Sequence, residues 1–435
     1  MGGNQKKLDL KAIVAMGVGG MVGGGIFSVL GLAIGISGHA APVVFAIGGV
    51  IALLTGLSYA KLGLAFRSAG GSFTYLEHSA IHHNVAGIAG WLLLAGYVGT
   101  LALYAYTFGA YGAAMLGAQA GKDPMMHHLL ASAVLLIFMG VNLYGAAAVG
   151  SSEVLIVIVK VAILSLFAFI GIFHLKEGYV MPIFNKGITN VIMAAGLIFV
   201  AYEGFELIPN AIEDMDKPEK NLCRGIVIPI VMATVIYILV SLVAVGNLTP
   251  KEVQDNGEYA LAVAAKPFLG HGGFILISLS ALLSTASAIN ATLFGTARLG
   301  KVMAMEHALP GVFSFREKKV DVPWVSLVAI TMMSLIFVNT TDLTKISSFA
   351  SSIFLLIFAA INLSAFRLRK KIGAHPAVSL TGCAFATSAL LILFWHLFEN
   401  DKHSLCIIAG MYIATIIAEL VFSKRRLFLR KGKSI

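Results

Sequence analysis

Three ionisable side chains lie inside long apolar stretches of this sequence of 435 residues. Lys160 lies within VLIVIVKVAILSLF, and Glu203 and Glu206 lie within GLIFVAYEGFELIP. At membrane depth an ionisable group costs about 3 kcal/mol or more unless it faces water or a partner. A lysine near a helix end can extend its ammonium to the interface, but Lys160 has about eight apolar residues before it and about a dozen after it. These residues therefore indicate ion-binding or proton-transfer chemistry within an apolar layer.

The stretch GGMVGGGIFS, residues 19–28, contains five glycines in ten positions. Each glycine costs about 1 kcal/mol in a helix interior relative to alanine. One explanation is close packing of helices through small residues, with Gly19 paired with Gly23 and Gly20 with Gly24. The other is an unwound segment at 23–25, whose free backbone amides bind an anion. The glycines alone leave both explanations open.

A second interruption favours the unwound segment. Gly204 separates Glu203 from Glu206, and Pro209 follows three residues later. Broken helices survive in hydrocarbon only where they line a cavity or face other protein. Two interrupted helices in the first and sixth positions are typical of inverted five-helix repeats with a binding site at the membrane midplane.

The elements that position these residues are predicted to be membrane helices. Hydrophobic residues make up 58% of the chain and charged residues 12%, against about 25% charged residues in soluble proteins. Apolar runs of about 20 residues, long enough to cross the hydrocarbon layer, recur along the chain. We predict an all-α fold of about twelve spans, at 10–36, 40–66, 85–117, 127–147, 152–174, 188–209, 224–246, 272–300, 323–339, 343–366, 377–397 and 404–422.

The distribution of Lys and Arg predicts the orientation of the chain. Of the 31 cationic residues, 23 lie in the alternate inter-span segments that include both termini, and 7 lie in the other segments. Because cytoplasmic loops carry the excess of cations, both termini are expected to be cytoplasmic. The net charge of +10 then reflects membrane topology, and we expect no binding of nucleic acid. Residues 1–9 form the predicted N-terminal segment and 424–435 a basic tail.

Several motifs resemble those of the amino acid–polyamine–organocation transporters. In chain order they are VGGGIF at 22–27, SYAKLGLAFRSAGGSFTY at 58–75, AYEGFE at 201–206, KPEKNLCRGI at 217–226 and TARLGKVMAMEHALPGVFS at 296–314. The resemblance implies a LeuT-type fold with inverted five-helix repeats. The repeats would be 10–175 and 188–368, followed by two further helices within 376–423.

The resemblance also implies a substrate site at the two breaks. The substrate carboxylate would bind the amides of Gly23, Gly24 and Gly25, next to Ile26 in the same motif. This agrees with the independent argument that free N–H groups at the start of a half-helix attract an anion. The implied partners of the substrate amine are carbonyls near Met21 and from Phe199 to Tyr202, beside Gly204. Tyr202 matches an aromatic lid of the family.

Lys160 matches a lysine that family members independent of sodium carry where their relatives bind a cation. This match implies contacts of its ammonium with carbonyls near Gly19 or Gly20, and with the hydroxyls of Ser284 and Ser287. Its protonation could then alternate with conformation. Transport would be independent of sodium, with proton coupling and exchange both open.

The two glutamates receive different expectations. Glu206 matches a carboxylate at the outer edge of the family's site and is expected to support gating. Glu203 departs from the family pattern, and three roles stay open: contact with a cationic substrate, proton carriage, and hydrogen bonding to freed backbone. In the third span, Tyr97 and Tyr104 are spaced either for ordinary packing or for closing the cavity wall.

The sequence therefore predicts a secondary active transporter of amino acids or related amines in the plasma membrane, working by alternating access. Two alternatives stay open, an amino acid sensor of the same fold and a passive facilitator. The three cysteines have no metal-like spacing, and no catalytic motif occurs. We expect neither an enzyme nor a bound metal or cofactor; the expected partners are an amino acid, the lipid bilayer and, as a candidate coupling ion, the proton. Cationic and small neutral amino acids both fit the sequence.

Overall fold

The computed structural model describes residues 7–68, 70–79, 83–117, 124–144, 149–315 and 322–422. The predicted basic tail 424–435 and the first six residues lie outside the described residues. The described part is almost entirely helical, and its secondary structure includes an isolated backbone bridge between Leu8 and Met215. The prediction of an all-α fold is confirmed for these ranges.

Seventeen α-helices occur in the described ranges. They are α1 Leu10–Met21, α2 Gly25–Ser37, α3 Ala41–Phe66, α4 Gly71–Ser79, α5 His83–Met115, α6 Pro124–Leu143, α7 Val149–Gly171, α8 Glu177–Val180, α9 Ile188–Leu197, α10 Pro218–Asn247, α11 Pro250–Asn256, α12 Ala260–Met305, α13 Trp324–Thr340, α14 Leu343–Arg367, α15 Arg369–Ile372, α16 Pro376–Asn400 and α17 Lys402–Phe422. Short 3₁₀ turns connect several of them, and two such turns, Phe199–Tyr202 and Phe205–Asp214, follow α9.

Length and hydropathy identify the helices that can cross a membrane. Among the described residues, nine helical stretches qualify, and α9 with the turns after it forms a tenth that is bent by 54°. The helices α1 and α13 are apolar but shorter. Every predicted span overlaps one of these helices or helix pairs, while the number of about twelve crossings stays a prediction.

Both predicted interruptions are confirmed. The helix α1 ends at Met21 and α2 begins at Gly25, so Val22–Gly24 lie outside regular helix. The second interruption begins after Leu197, and Gly204 adopts a φ of 122° that side chains rarely tolerate. Each interruption leaves backbone N–H and C=O groups without the partner that a continuous helix supplies.

The two interruptions touch each other through bare backbone. A Cβ atom added to Gly20 would lie 3.1 Å from the Cα of Gly204, and one added to Gly204 would lie 2.7 Å from the carbonyl carbon of Gly20. A Cβ added to Gly25 would lie 2.7 Å from the Cα of Ala201. The two interrupted segments can therefore cross this closely only because glycine stands at the crossing.

Long helices surround this crossing. The helix α10 packs along α3, α5 packs along α12 and α14, and α1 lies against α7 and α10. Three of these neighbours, α5, α10 and α14, direct polar side chains at the interruptions, as described below.

The close crossing predicts that Gly204→Ala strongly lowers the stability of the folded protein. The added methyl group would meet the backbone of Gly20, and alanine is strained at a φ of 122°. We expect the change to destabilise the protein by about 3 kcal/mol, measured as a lower melting temperature of the purified protein in detergent.

Gly295→Ala is the matched control for this prediction. Gly295 lies within α12, and the nearest atom to an added Cβ is the Cδ2 of Leu207 at 3.9 Å. This variant is expected to melt at or slightly above the wild-type temperature, because alanine favours helix. Equal melting temperatures for the two variants would contradict the close crossing.

Candidate functional site

Tyr237 of α10 connects the freed carbonyls of both interruptions. Its hydroxyl lies 2.6 Å from the carbonyl oxygen of Met21 and 2.9 Å from that of Ala201. The side chain is fully buried, and its ring packs edge-on against Phe45 and Tyr202. Sequence reasoning missed Tyr237, because nothing in its local pattern distinguishes it from a packing aromatic residue.

Serines of α14 provide hydrogen-bond partners for the backbone groups of the second interruption. Ser347 and Ser351 both donate to the carbonyl of Leu197, at 2.8 Å and 2.7 Å. Ser351 also accepts a hydrogen bond of 2.9 Å from the N–H of Val200. These hydroxyls replace the intrahelical partners that the chain loses after α9.

The three glycines of the first interruption are closely packed. A Cβ added to Gly23 would lie 2.5 Å from the Cβ of Ala288. One added to Gly24 would overlap the ring of Tyr104, and one added to Gly25 would overlap the backbone of Ala201. The segment is therefore both unwound and in tight contact, with the unwound residues at Val22–Gly24 and Gly25 already the first residue of α2. Binding of an anion by its amides stays a prediction. The ring of Tyr104 covers Gly24 in this conformation.

The two buried glutamates accept hydrogen bonds from α5. Thr100 donates to the carboxylate of Glu203. Glu206 accepts from the hydroxyl of Tyr97 at 3.3 Å and from the N–H of Gly204 at 2.7 Å. Glu206 therefore caps the backbone that the second interruption frees, as well as facing α5.

These contacts come from one face of α5. Tyr97, Thr100, Tyr104 and Thr107 are spaced by three or four residues, as neighbours on a helix face are. Thr107 lies 2.6 Å from the hydroxyl of Ser28, which in turn donates to the carbonyl of Gly24. The sequence analysis found the two tyrosines of this face and missed the two threonines, although the same spacing would have found them.

Lys160 reaches the first interruption. Its side chain is 1% exposed, and its ammonium donates to the carbonyl of Gly19 at 2.9 Å. The expected contact near Gly19 or Gly20 is present, while Gly20 itself lies against Gly204.

The expected contacts of Lys160 with α12 are less complete. The hydroxyl of Ser284 is buried and forms no hydrogen bond with the described residues, so its predicted bond to Lys160 is not formed in this conformation. The ammonium of Lys160 lies at the end of α1 instead, where the break exposes carbonyls. Ser287 is half-buried on the same helix.

Tyr202 packs between α3 and α10. Its hydroxyl donates to the carbonyl of Phe45 at 2.5 Å, and its ring contacts Gly48 and Tyr237. Phe199 lies beside it at a ring distance of 6.4 Å, and Ile26 is fully buried. The role of Tyr202 as a lid stays a prediction.

Both ends of the broken first helix are covered by other segments. In the middle of α2, an added Cβ on Gly31 would overlap the carbonyl of Gly257, and Tyr106 donates to Glu258 beside it. Just before α1, the N–H of Leu8 donates to the carbonyl of Asp214, and its carbonyl accepts from the N–H of Asp216. The interruptions themselves are enclosed in this conformation, because residues 21–25 and 197–206 are all buried.

Two broken helices that meet inside a bundle of apolar helices define this protein as a membrane transporter of the LeuT-type fold. An Amino acid permease family model matches residues 8–421, and the chain belongs to this family, within the amino acid–polyamine–organocation superfamily. The family is one of transporters.

Individual proteins are similar along most of the chain. Uncharacterized protein MJ0609 of Methanocaldococcus jannaschii is 33% identical over 96% of both chains. The serine/threonine exchanger SteT of Bacillus subtilis is 27% identical and covers 85% of this chain and 84% of its own. The crystal structure of a manganese transporter mutant from Eremococcus coleocola superposes with a TM-score of 0.61 at 13% identity, covering 94% of this chain and 93% of that one, and supports the fold alone.

The contacts of α14 predict that alanine substitutions at two adjacent serines lower the melting temperature by different amounts. Ser351→Ala removes the acceptor of the buried Val200 N–H, whereas Ser352 donates to the carbonyl of Phe349 in its own helix and accepts a long bond of 3.3 Å from the Tyr412 hydroxyl. A buried unsatisfied N–H costs about 1–3 kcal/mol. We expect Ser351→Ala to melt several degrees below Ser352→Ala in the same detergent, and a reversed order would contradict the assigned role of Ser351.

Proposed function

We propose that this transporter carries a small amino acid across the plasma membrane by alternating access, with the zwitterion held between the two interruptions. The observation that supports this most is the backbone crossing at Gly20 and Gly204, because it brings the freed groups of both helices together. We also propose two inverted repeats, at 10–175 and 188–368, and cytoplasmic termini.

The substrate carboxylate binds the amides at Gly23, Gly24 and Gly25 in this proposal. The first N–H groups of α2 have no partner within the helix, and the N-cap residue Gly24 has no side chain that could accept from them. The positive end of the α2 dipole adds to the attraction for an anion. Because the Tyr104 ring covers Gly24, this ring must turn away as substrate enters, which gives Tyr104 a gating role.

The substrate amine binds the carbonyls of Met21 and of Ala201, the latter within the predicted segment from Phe199 to Tyr202. These carbonyl oxygens share one hydroxyl neighbour, Tyr237, so they converge on a common point. An ammonium placed there has three N–H donors for the oxygens around it.

Lys160 acts as the coupling group in this proposal. Its ammonium supplies a positive charge at the carbonyl of Gly19 in this conformation, so no sodium ion is required there. Proton coupling and exchange both remain consistent with a lysine whose protonation changes during the cycle. The name of the B. subtilis relative gives exchange as that protein's activity, and net transport coupled to protons stays open for this chain.

A small neutral amino acid is the substrate class that we favour. The serine/threonine specificity in the name of that relative supports it, as does the tight packing around Gly23 and Gly25. Glu203 already accepts a hydrogen bond from Thr100, and Glu206 accepts two, so neither carboxylate needs a cationic substrate as its only partner.

Uptake by purified protein in liposomes tests this function. The panel comprises radiolabelled L-alanine, L-serine, L-threonine, L-leucine and L-arginine, with and without a pH gradient or sodium. We expect counterflow of at least one small neutral amino acid without any requirement for sodium. Binding without flux would instead indicate a sensor, and flux without counterflow or accumulation would indicate a passive facilitator.

Lys160→Ala is expected to abolish coupled accumulation while leaving some substrate binding. The variant removes the buried ammonium at Gly19, and with it the charge whose protonation changes in the cycle. Accumulation and binding are measured side by side, with the exposed Lys370→Ala as the control. Accumulation by Lys160→Ala at the wild-type level would reject the coupling role.

Glu203→Gln tests the open role of this carboxylate. If Glu203 carries a proton or contacts a substrate cation, the change alters the pH dependence or the ratio of arginine to serine uptake. The exposed Glu213→Gln is the control. Wild-type profiles for both properties would leave Glu203 as a hydrogen-bonding partner of Thr100.

A further inference from the structure

Tyr237 places one hydroxyl between two carbonyls that lack helical partners. Met21 is the last residue of α1, so its carbonyl lacks the hydrogen bond that the N–H of Gly25, four residues later, would donate in a continuous helix. Ala201 lies in a 3₁₀ turn, and the Gly204 N–H that would bond its carbonyl donates to Glu206 instead. Both oxygens therefore depend on Tyr237 in this enclosed conformation.

Ring packing sets the position of the hydroxyl in this conformation. The Tyr237 ring packs against Phe45 at 5.5 Å and Tyr202 at 5.3 Å between ring centres. The carbonyl oxygen of Ala201 would lie 2.7 Å from a Cβ on Gly25, so the hydroxyl sits beside the first residue of α2. This is the place that the proposed site assigns to the substrate amine.

We propose that the Tyr237 hydroxyl substitutes for the substrate ammonium when the transporter closes empty. This inference rests on the proposed function, since it assigns the two carbonyls to the amine. When the substrate is bound, its ammonium supplies N–H donors to both oxygens, and the hydroxyl is displaced. When no substrate is bound, the hydroxyl keeps the carbonyls from being buried without a donor.

This replacement of the ammonium by the hydroxyl determines whether the empty transporter can switch back to the conformation that faces the other side of the membrane. An exchanger needs only the loaded protein to pass through the closed conformation, whereas net transport also needs the empty protein to do so. A buried carbonyl without a donor is costly, and the cost falls on the empty closed state alone. Tyr237 is therefore a positioning residue for the return step, and its loss selectively slows that step.

Tyr237→Phe in proteoliposomes tests the inference. Efflux of radiolabelled L-serine, or of whichever panel amino acid gives the largest counterflow, is measured into buffer without amino acid and into buffer with excess unlabelled amino acid. Net efflux, into buffer without amino acid, requires the empty transporter to return to its starting conformation. Exchange, into buffer with unlabelled amino acid, does not. We expect the ratio of net efflux to exchange to fall about tenfold or more, while exchange stays near the wild-type rate.

Tyr111→Phe is the matched control. It removes another buried tyrosine hydroxyl, one that donates to the carbonyl of Phe27 at 3.2 Å within the regular helix α2. That carbonyl lies inside the helix, so the ratio of the two rates is expected to stay at the wild-type value.

Three outcomes would overturn the inference. The first is an unchanged ratio in Tyr237→Phe, including the case in which both rates fall together. The second is a wild-type protein that exchanges without any net efflux. The third is weaker binding of L-serine by Tyr237→Phe in a ligand-induced melting shift, since the loaded state does not use the hydroxyl. Absence of counterflow in the wild type would instead refute the proposed function itself.

Discussion

Direct contact between two interrupted helices is the constraint on which the rest of the structure depends. At Gly20 and Gly204 the two backbone segments approach so closely that a carbon atom added to Gly204 would overlap the backbone of Gly20, and one added to Gly20 would be in tight contact with Gly204. In an apolar layer no water replaces the hydrogen bonds lost at such a crossing. The surrounding helices must therefore supply donors and acceptors to defined backbone atoms, or the interruptions would refold into continuous helix.

Those partners come from four different helices. Serine hydroxyls of α14 donate to the carbonyl of Leu197 and accept from the N–H of Val200. The hydroxyl of Tyr237, on α10, donates to the carbonyls of Met21 and Ala201. The ammonium of Lys160, on α7, donates to the carbonyl of Gly19. The α5 face binds the two glutamates. A movement of either broken helix must break several of these bonds at once. In the proposed alternating-access cycle, the hydrogen bonds that hold the proposed site are thus the same ones that must break when a broken helix moves.

The sequence predicted what local patterns encode. The glycine run, Gly204 and the depth of Lys160 each break a rule that a plain membrane helix obeys, and the two interruptions followed from the glycines. The contact of Lys160 with the carbonyl of Gly19 was implied by the resemblance to the transporter family, not by the local pattern. Tyr237, Thr100 and Ser351 break no such rule, because polar residues on buried helix faces are common. Their roles depend on which helix lies opposite, which only the folded structure defines. Tyr202 was predicted as a lid, and its position between α3 and α10 depends in the same way on its distant partners Phe45 and Gly48.

The central claim is that bare backbone at the two interruptions binds the amino acid. An experimental structure determined with a bound amino acid tests it most directly. The account predicts the carboxylate within hydrogen-bonding distance of the amides at 23–25 and the ammonium at the carbonyls of Met21 and Ala201, with Tyr237 and the Tyr104 ring displaced. A ligand bound elsewhere, or a continuous first helix through Val22–Gly24 in the loaded protein, would contradict the account.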